Sequence, residues 1–80
     1  MSEERTIIRR VVEHYALTGD VTDPHVAVTH LPDNKTSFVE PTADGGRGIT
    51  LDEYHVAGRV IWAAYSTRTR TVYLSEARKT

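Results

Sequence analysis

The residues with the clearest chemical potential are the basic and aromatic side chains near the C-terminus. Arg68 and Arg70 stand two positions apart, and Tyr73 follows them. In a strand, arginines at this spacing point the same way, so they can neutralise phosphates while the tyrosine ring stacks on a base. With Arg78 and Lys79 they form a predicted nucleic-acid-binding set. The alternative is an exposed edge strand whose arginines discourage association with other sheets.

A second candidate is a glycine-rich loop consisting of Gly45, Gly46, Arg47 and Gly48. We expect this loop to lead into a helix, whose N-terminal N–H groups and dipole can hold an anion while Arg47 adds a bidentate contact. The loop lacks the Lys-Ser/Thr ending of a P-loop and the spacing of a dinucleotide fingerprint. A plain connecting loop is the alternative; a small-ligand or nucleotide site would also draw on His55 or Asp52.

Other kinds of chemistry find little support in the residue types. The chain has no cysteine, so it has no disulfide framework, thiol nucleophile or thiolate metal site. None of its histidines form the i, i+4 pair that brings two imidazoles onto one zinc ion; they are His14, His25, His30 and His55. The same scatter argues against a catalytic triad. We therefore predict no catalytic residue, no metal and no cofactor.

Charge is unevenly distributed along a chain whose net charge is −1. Residues 20–58 carry seven acids against Lys35 and Arg47, whereas residues 59–80 carry five basic residues against Glu76. One interpretation is that the acidic middle and the basic end attract each other or keep the surface hydrated. The other is that the C-terminal part contacts nucleic acid or an acidic partner, although domains that bind phosphate backbones are usually far more basic.

The elements that position these residues must fit into 80 residues. A chain of this length forms one domain with a marginal core, so we expect a protein partner or a homodimer. Nine valines favour some β content. No apolar run approaches the roughly 20 residues that span a bilayer. The N-terminus also lacks a signal-like apolar stretch, which predicts no membrane association and a cytoplasmic location.

An amphipathic helix is predicted over Ser2–Leu17. Ser2 suits the N-cap, and Gly19 stands where a left-handed residue ends a helix. Residues 25–40 are predicted to form a β-hairpin, because an alternating segment is followed by turn residues and a second strand. In its loop, Asn34 tolerates the left-handed conformation, and Phe38 in the second strand is available to the core.

Thr50–Ser66 is predicted to be a second, central helix. Thr50 and Glu53 fit a capping box. At helical spacing an apolar stripe forms with Trp62 at its centre, which we expect to be interior, between helix and sheet. The stripe consists of Leu51, Tyr54, Gly58, Ile61, Trp62 and Tyr65. A strand over Thr71–Ser75 follows.

The same region allows an alternative with two strands, Val60–Ala64 and Thr69–Leu74, that turn near Thr67 and Arg68. β-Branched residues favour this hairpin, whereas the capping box and the apolar stripe favour the helix. In the hairpin version, the segment with the arginines becomes a basic wing.

The predicted fold is a single α+β domain over residues 1–80, ordered helix, β-hairpin, helix, strand, with residues 76–80 frayed. Both helices would lie on one face of a small antiparallel sheet; the alternative has one helix and two hairpins. The sequence lacks catalytic signatures, and a chain of this size has little room for a deep pocket. We therefore expect a non-enzymatic binding module that acts through a protein–protein surface, as an adaptor, regulator or inhibitor. The alternatives are a nucleic-acid-binding regulator using the basic C-terminal strand and an anion or nucleotide binder using the glycine loop.

Overall fold

The computed structural model describes residues 3–78, which form one helix and six strands. The elements are α1 (Glu3–Thr18), β1 (Ala27–His30), β2 (Ser37–Glu40), β3 (Arg47–Thr50), β4 (Asp52–Val56), β5 (Arg59–Ser66) and β6 (Thr71–Glu76). Four strands form the main sheet in the order β1-β6-β5-β4, and β2 with β3 forms a separate two-stranded ribbon. The α+β class is confirmed, but the two predicted helices are reduced to one.

The helix α1 forms where the sequence predicts it. Its buried residues recur every three to four positions, so one stripe faces the sheet. After Thr18, Gly19 has a φ of +79° and its N–H donates to the carbonyl of Tyr15 at 2.8 Å, which is the predicted left-handed end of the helix. The predicted N-cap Ser2 lies outside the described residues. The buried stripe consists of Ile8, Val11, Val12, Tyr15 and Ala16.

The predicted second helix is wrong, because its residues form the β4–β5 hairpin. The turn is made by Ala57 and Gly58 at φ of +53° and +75°, which is the signature of a tight type I′ turn. Strand β5 is covered on both faces, so its apolar residues run almost without interruption and imitate a helical stripe. Strands β5 and β6 pair antiparallel, from Ser66 opposite Thr71 to Ile61 opposite Glu76, so the alternative hairpin exists. Its turn spans residues 67–70, and Thr69 and Arg70 lie in the turn instead of in the second strand as predicted.

The predicted hairpin over residues 25–40 is also wrong, although both of its strands exist. Strand β1 runs parallel to β6, and β2 pairs with β3. Asn34 does adopt the left-handed conformation, with a φ of +66°. Its N–H donates to the carbonyl of Glu76 at 2.9 Å, while Leu31 donates to that of Leu74 at 2.7 Å. The loop therefore continues along β6 instead of turning back on β1.

The main sheet separates two apolar clusters, so the described residues form three layers. On one face, α1 packs against Ile61, Ala63, Val72 and Leu74. On the other face, the ribbon and its flanking residues cover a smaller cluster, in which Phe38 lies 4.7 Å from the ring of Tyr73. Residues of the smaller cluster are Leu31, Leu51, Ala64 and Tyr73, with Phe38, Ile49 and Trp62 at its margin.

Two further expectations about inside and outside are corrected. Trp62 is only half-buried and lies on the ribbon face, so it is not the interior residue between helix and sheet. Its indole N–H donates to Glu53 at 3.4 Å. Glu76, predicted to begin a frayed end, is instead buried in β6, and Ala77 donates its N–H to the carbonyl of Val60 at 2.9 Å.

Candidate functional site

Glu40, at the end of β2, fixes the ribbon to the turn between β5 and β6. Only 1% of this residue is exposed, and its carboxylate accepts hydrogen bonds from the hydroxyls of Ser66 and Thr69, each at 3.0 Å, and from Tyr73. Arg68 adds a cation 3.5 Å away. The Tyr73 hydroxyl is the main reason that the pKa of Glu40 lies below its ordinary value. The cluster is fully engaged within the protein.

The predicted nucleic-acid residues are not brought together. Arg68 and Arg70 lie in the turn between β5 and β6, not in a strand, and Arg70 has a left-handed φ of +52°. Arg68 donates to the carbonyl of Pro41 at 2.8 Å. The ring of Tyr73 is buried beneath the ribbon, so it has no free face on which a base can stack.

Arg78 lies beyond the opposite end of β6, away from the other two arginines. Its guanidinium is 3.0 Å from Asp33 and 3.6 Å from Glu76. Lys79 lies outside the described residues. The five predicted residues therefore form no common basic surface within the part of the chain that the structure describes.

The glycine loop leads into a strand, so the expected helix N-terminus is absent there. Thr42 closes the loop internally, because the N–H of Gly45 donates to its carbonyl at 3.2 Å and that of Gly46 to its hydroxyl at 2.8 Å. Arg47 and Gly48 line a cavity of about 290 Å³. The carboxylates of Glu4 and Asp52 line the same cavity, which opposes an anion at this place.

Sequence reasoning did not find the buried ionic cluster around Glu76. Its carboxylate accepts from Nε and Nη2 of Arg59 at 2.8 and 2.6 Å and from the hydroxyl of Tyr15 at 2.6 Å. Arg59 also donates to the carbonyl of Ala16 at 3.1 Å. The bidentate arginine lowers the pKa of Glu76 to about 2. These contacts tie the end of α1 to the sheet, which is a structural role.

An apolar groove beside β2 is the surface best suited to binding. It has a volume of about 410 Å³. Val39 lines it and is 65% exposed; within residues 3–78 the other exposed large apolar side chain is Leu17, at 72%, on α1. The groove is lined by Leu31, Pro32, Lys35, Ser37, Phe38 and Val39. An exposed apolar side chain on an unpaired strand edge favours pairing with another chain.

The backbone of β2 beside this groove is available for pairing. Leu51 donates its N–H to the carbonyl of Thr36 at 2.9 Å, which sets the alternation of hydrogen bonds between β2 and β3. By that alternation Phe38 and Glu40 bond to β3, whereas the N–H and C=O groups of Ser37 and Val39 face away from it. Among the described residues, no strand pairs with β2 on that side.

The residue that could have signalled this site is Val39, an apolar residue between Phe38 and Glu40. Successive side chains of a strand point to opposite faces, so a valine between two inward-facing residues predicts an apolar outer face. The signal becomes informative only when β2 is known to be an edge strand.

The described residues carry few other features that would indicate a function. In residues 3–78, no group of three or more His, Cys, Asp or Glu side chains is arranged to hold a metal ion. Within that same range, no helix combines the length and the apolar content that crossing a bilayer requires. In comparisons with known proteins, the chain matches no protein-family model, no curated protein and no solved structure.

Proposed function

We propose that this protein is a non-enzymatic binding module that holds an extended segment of a partner protein along the free edge of β2. The observation that carries the proposal is the exposure of Val39 on an unpaired strand next to an apolar groove. A partner segment added to this edge would make the ribbon three-stranded. Such a module is suited to the work of an adaptor, regulator or inhibitor.

The two parts of the site have different roles in this mode of binding. The backbone groups of Ser37 and Val39 supply hydrogen bonds that are independent of the partner's sequence. The groove makes binding selective for the partner's sequence, because alternate side chains of an added strand lie on the same face and one of them enters the groove. Burying an apolar side chain there contributes roughly 1.5–3 kcal/mol.

Lys35 gives the site its expected charge preference. It lines the groove, and its side chain pairs with no acid among the described residues. An acidic side chain in the partner segment, close to the apolar one that fills the groove, would supply the missing partner for this ammonium group. We therefore expect ligands that combine apolar residues at alternate positions with an Asp or Glu.

The test is a displayed library of random peptides selected against the wild-type chain, followed by affinity measurements on two matched variants. Val39→Asp and Leu17→Asp each place the same charge on an exposed large apolar position, but only the first lies in the groove. We expect the selected peptides to bind L17D like the wild type and V39D at least about tenfold more weakly. Lys35→Gln should remove the preference for an acid without abolishing binding.

Equal affinity of all variants for the selected peptides would contradict this function, as would a selection that enriches nothing above an unrelated scaffold. Nucleic-acid binding is the second candidate, and it predicts retention on a polyanionic resin with a steep salt dependence. It has weaker support, because Arg68 and Tyr73 are engaged with Glu40.

A further inference from the structure

Strand β4 forms an end of the main sheet, and its outer edge has no partner among the described residues. The tight turn at Ala57 and Gly58 makes Val56 and Arg59 a hydrogen-bonded pair. By alternation, the backbone groups of Glu53 and His55 then face away from β5. An independent contact agrees: Val60, opposite His55, directs its carbonyl to Ala77 on the β6 side at 2.9 Å.

We infer that two copies of this chain associate through β4, antiparallel, around a twofold axis at Tyr54. In this register, Glu53 of each copy lies opposite His55 of the other. Both pairs are of the hydrogen-bonded kind, so the two strands exchange four backbone hydrogen bonds. The result is one eight-stranded sheet with both copies of α1 on the same face, an isologous arrangement that closes on itself.

Charge complementarity selects the second copy and this register. The side chains of Glu53 and His55 are 53% and 68% exposed and lie 2.6 Å apart on the same face of β4. Around Tyr54, each carboxylate meets an imidazole of the other copy, whereas a register centred on Glu53 would place two carboxylates directly opposite each other. An imidazole N–H can donate to the carboxylate opposite it, whereas two carboxylates directly opposite each other destabilise a strand pair.

Side chains on the other face of β4 suit the same axis. Tyr54 is half-buried, and around the axis it lies opposite the tyrosine of the second copy in a non-hydrogen-bonded pair, where side chains approach most closely. The space beside it is a groove of about 440 Å³ lined by Arg5, Arg9, Asp52, Glu53, Tyr54 and His55. The second tyrosine would fill part of this groove. The outer edge of β4 is separate from the free edge of β2, so the dimer contact does not occupy the proposed binding site for a partner segment.

The test is sedimentation equilibrium of the full chain over a wide concentration range, with a charge-swap cycle. His55→Glu puts two carboxylates opposite each other twice, and should raise the dimer dissociation constant by roughly 5- to 30-fold. Glu53→Lys should also weaken the dimer, because it places a cation opposite the imidazole. The double variant E53K/H55E places a lysine opposite a glutamate in both pairs and should recover most of the affinity.

Two measurements make the outcome unambiguous. Thermal unfolding of the dilute variants controls for damage to the monomer, and hydrogen exchange should show the amides of Glu53 and His55 gaining protection as concentration rises. A chain that stays monomeric at high concentration would overturn the inference. So would a dimer that the single variants leave unchanged, a double variant no better than H55E, or protection that appears at Ser37 and Val39 instead.

Discussion

Replacing Glu76 with glutamine should destabilise the fold strongly at neutral pH and much less in acid. Glu76 is only 6% exposed, and the pKa of its carboxylate, about 2, compares with an ordinary value of 4.5. A difference of about 2.5 pKa units corresponds to roughly 3 kcal/mol of stability at pH 7. Since the Arg59 side chain is one-third exposed, solvent screens part of this, and we expect a loss of about 2–3 kcal/mol for Glu76→Gln.

The direction of the pH dependence follows from the depressed pKa. Because the folded state holds the carboxylate ionised more strongly than the unfolded state, the contribution is complete above about pH 4.5 and is lost as pH falls towards 2. The difference in the free energy of unfolding between the wild type and E76Q should therefore decrease as pH falls over this range. A protonated carboxyl and an amide then present similar neutral groups to Arg59.

Urea unfolding at pH 7 and at several values down to pH 2.5 measures this difference. Glu13→Gln is the matched control, since Glu13 pairs with Arg9 at 3.4 Å on the exposed side of α1 and should change stability by less than about 0.5 kcal/mol. Two results would refute the assignment of a buried ionic cluster at Glu76. One is an E76Q variant that loses no more unfolding free energy at pH 7 than the control, and the other is a loss of stability that does not change with pH.

Two further predictions concern the ribbon that carries the binding groove. Gly46→Ala should destabilise the chain by about 1–3 kcal/mol in urea unfolding. Residue 46 has a φ of +126°, and a Cβ there would lie 2.9 Å from the Val39 side chain. The control Gly48→Ala should have much less effect, because a Cβ at residue 48 would meet open space. Glu40→Ala leaves three hydroxyl donors without their acceptor and should cost about 3–5 kcal/mol, whereas the exposed neighbour Ser37→Ala should be nearly neutral.

Local signals in the sequence predicted local structure well. The periodicity of α1 and the glycine after it act within a few residues, so helix and cap were predictable. Asn34 likewise adopts the backbone conformation expected of it. The hairpin formed by β5 and β6 was visible as an alternative, because its β-branched residues and its turn are adjacent in the chain.

Pairing over long distances was not predictable from the same signals. Strand β1 pairs with β6, more than 40 residues further along, and nothing in residues 27–30 specifies that partner. Strand β5 is covered on both faces, and the resulting apolar run fits a helical stripe as well as a strand. A capping-box pattern at Thr50 and Glu53 also favoured a helix, although these residues lie in strands.

The candidate sites depended on those long-range pairings. The basic segment was recognisable, but the link that binds Arg68 and Tyr73 to Glu40 joins residues about 30 positions apart. The exposure of Val39 follows from the position of the ribbon on the sheet, which the sequence does not specify. Side-chain types were thus informative about chemistry, and the fold decided which of them remained available.

Amide hydrogen exchange of Ser37 and Val39, with and without a peptide selected on the wild-type chain, tests the peptide-binding edge most directly. In dilute protein we expect both amides to exchange quickly, and to become protected when the peptide binds while those of Glu53 and His55 do not change. Protection of Ser37 and Val39 before any peptide is added would contradict an open edge at β2. Peptide binding that leaves these two amides unprotected would contradict the binding site itself.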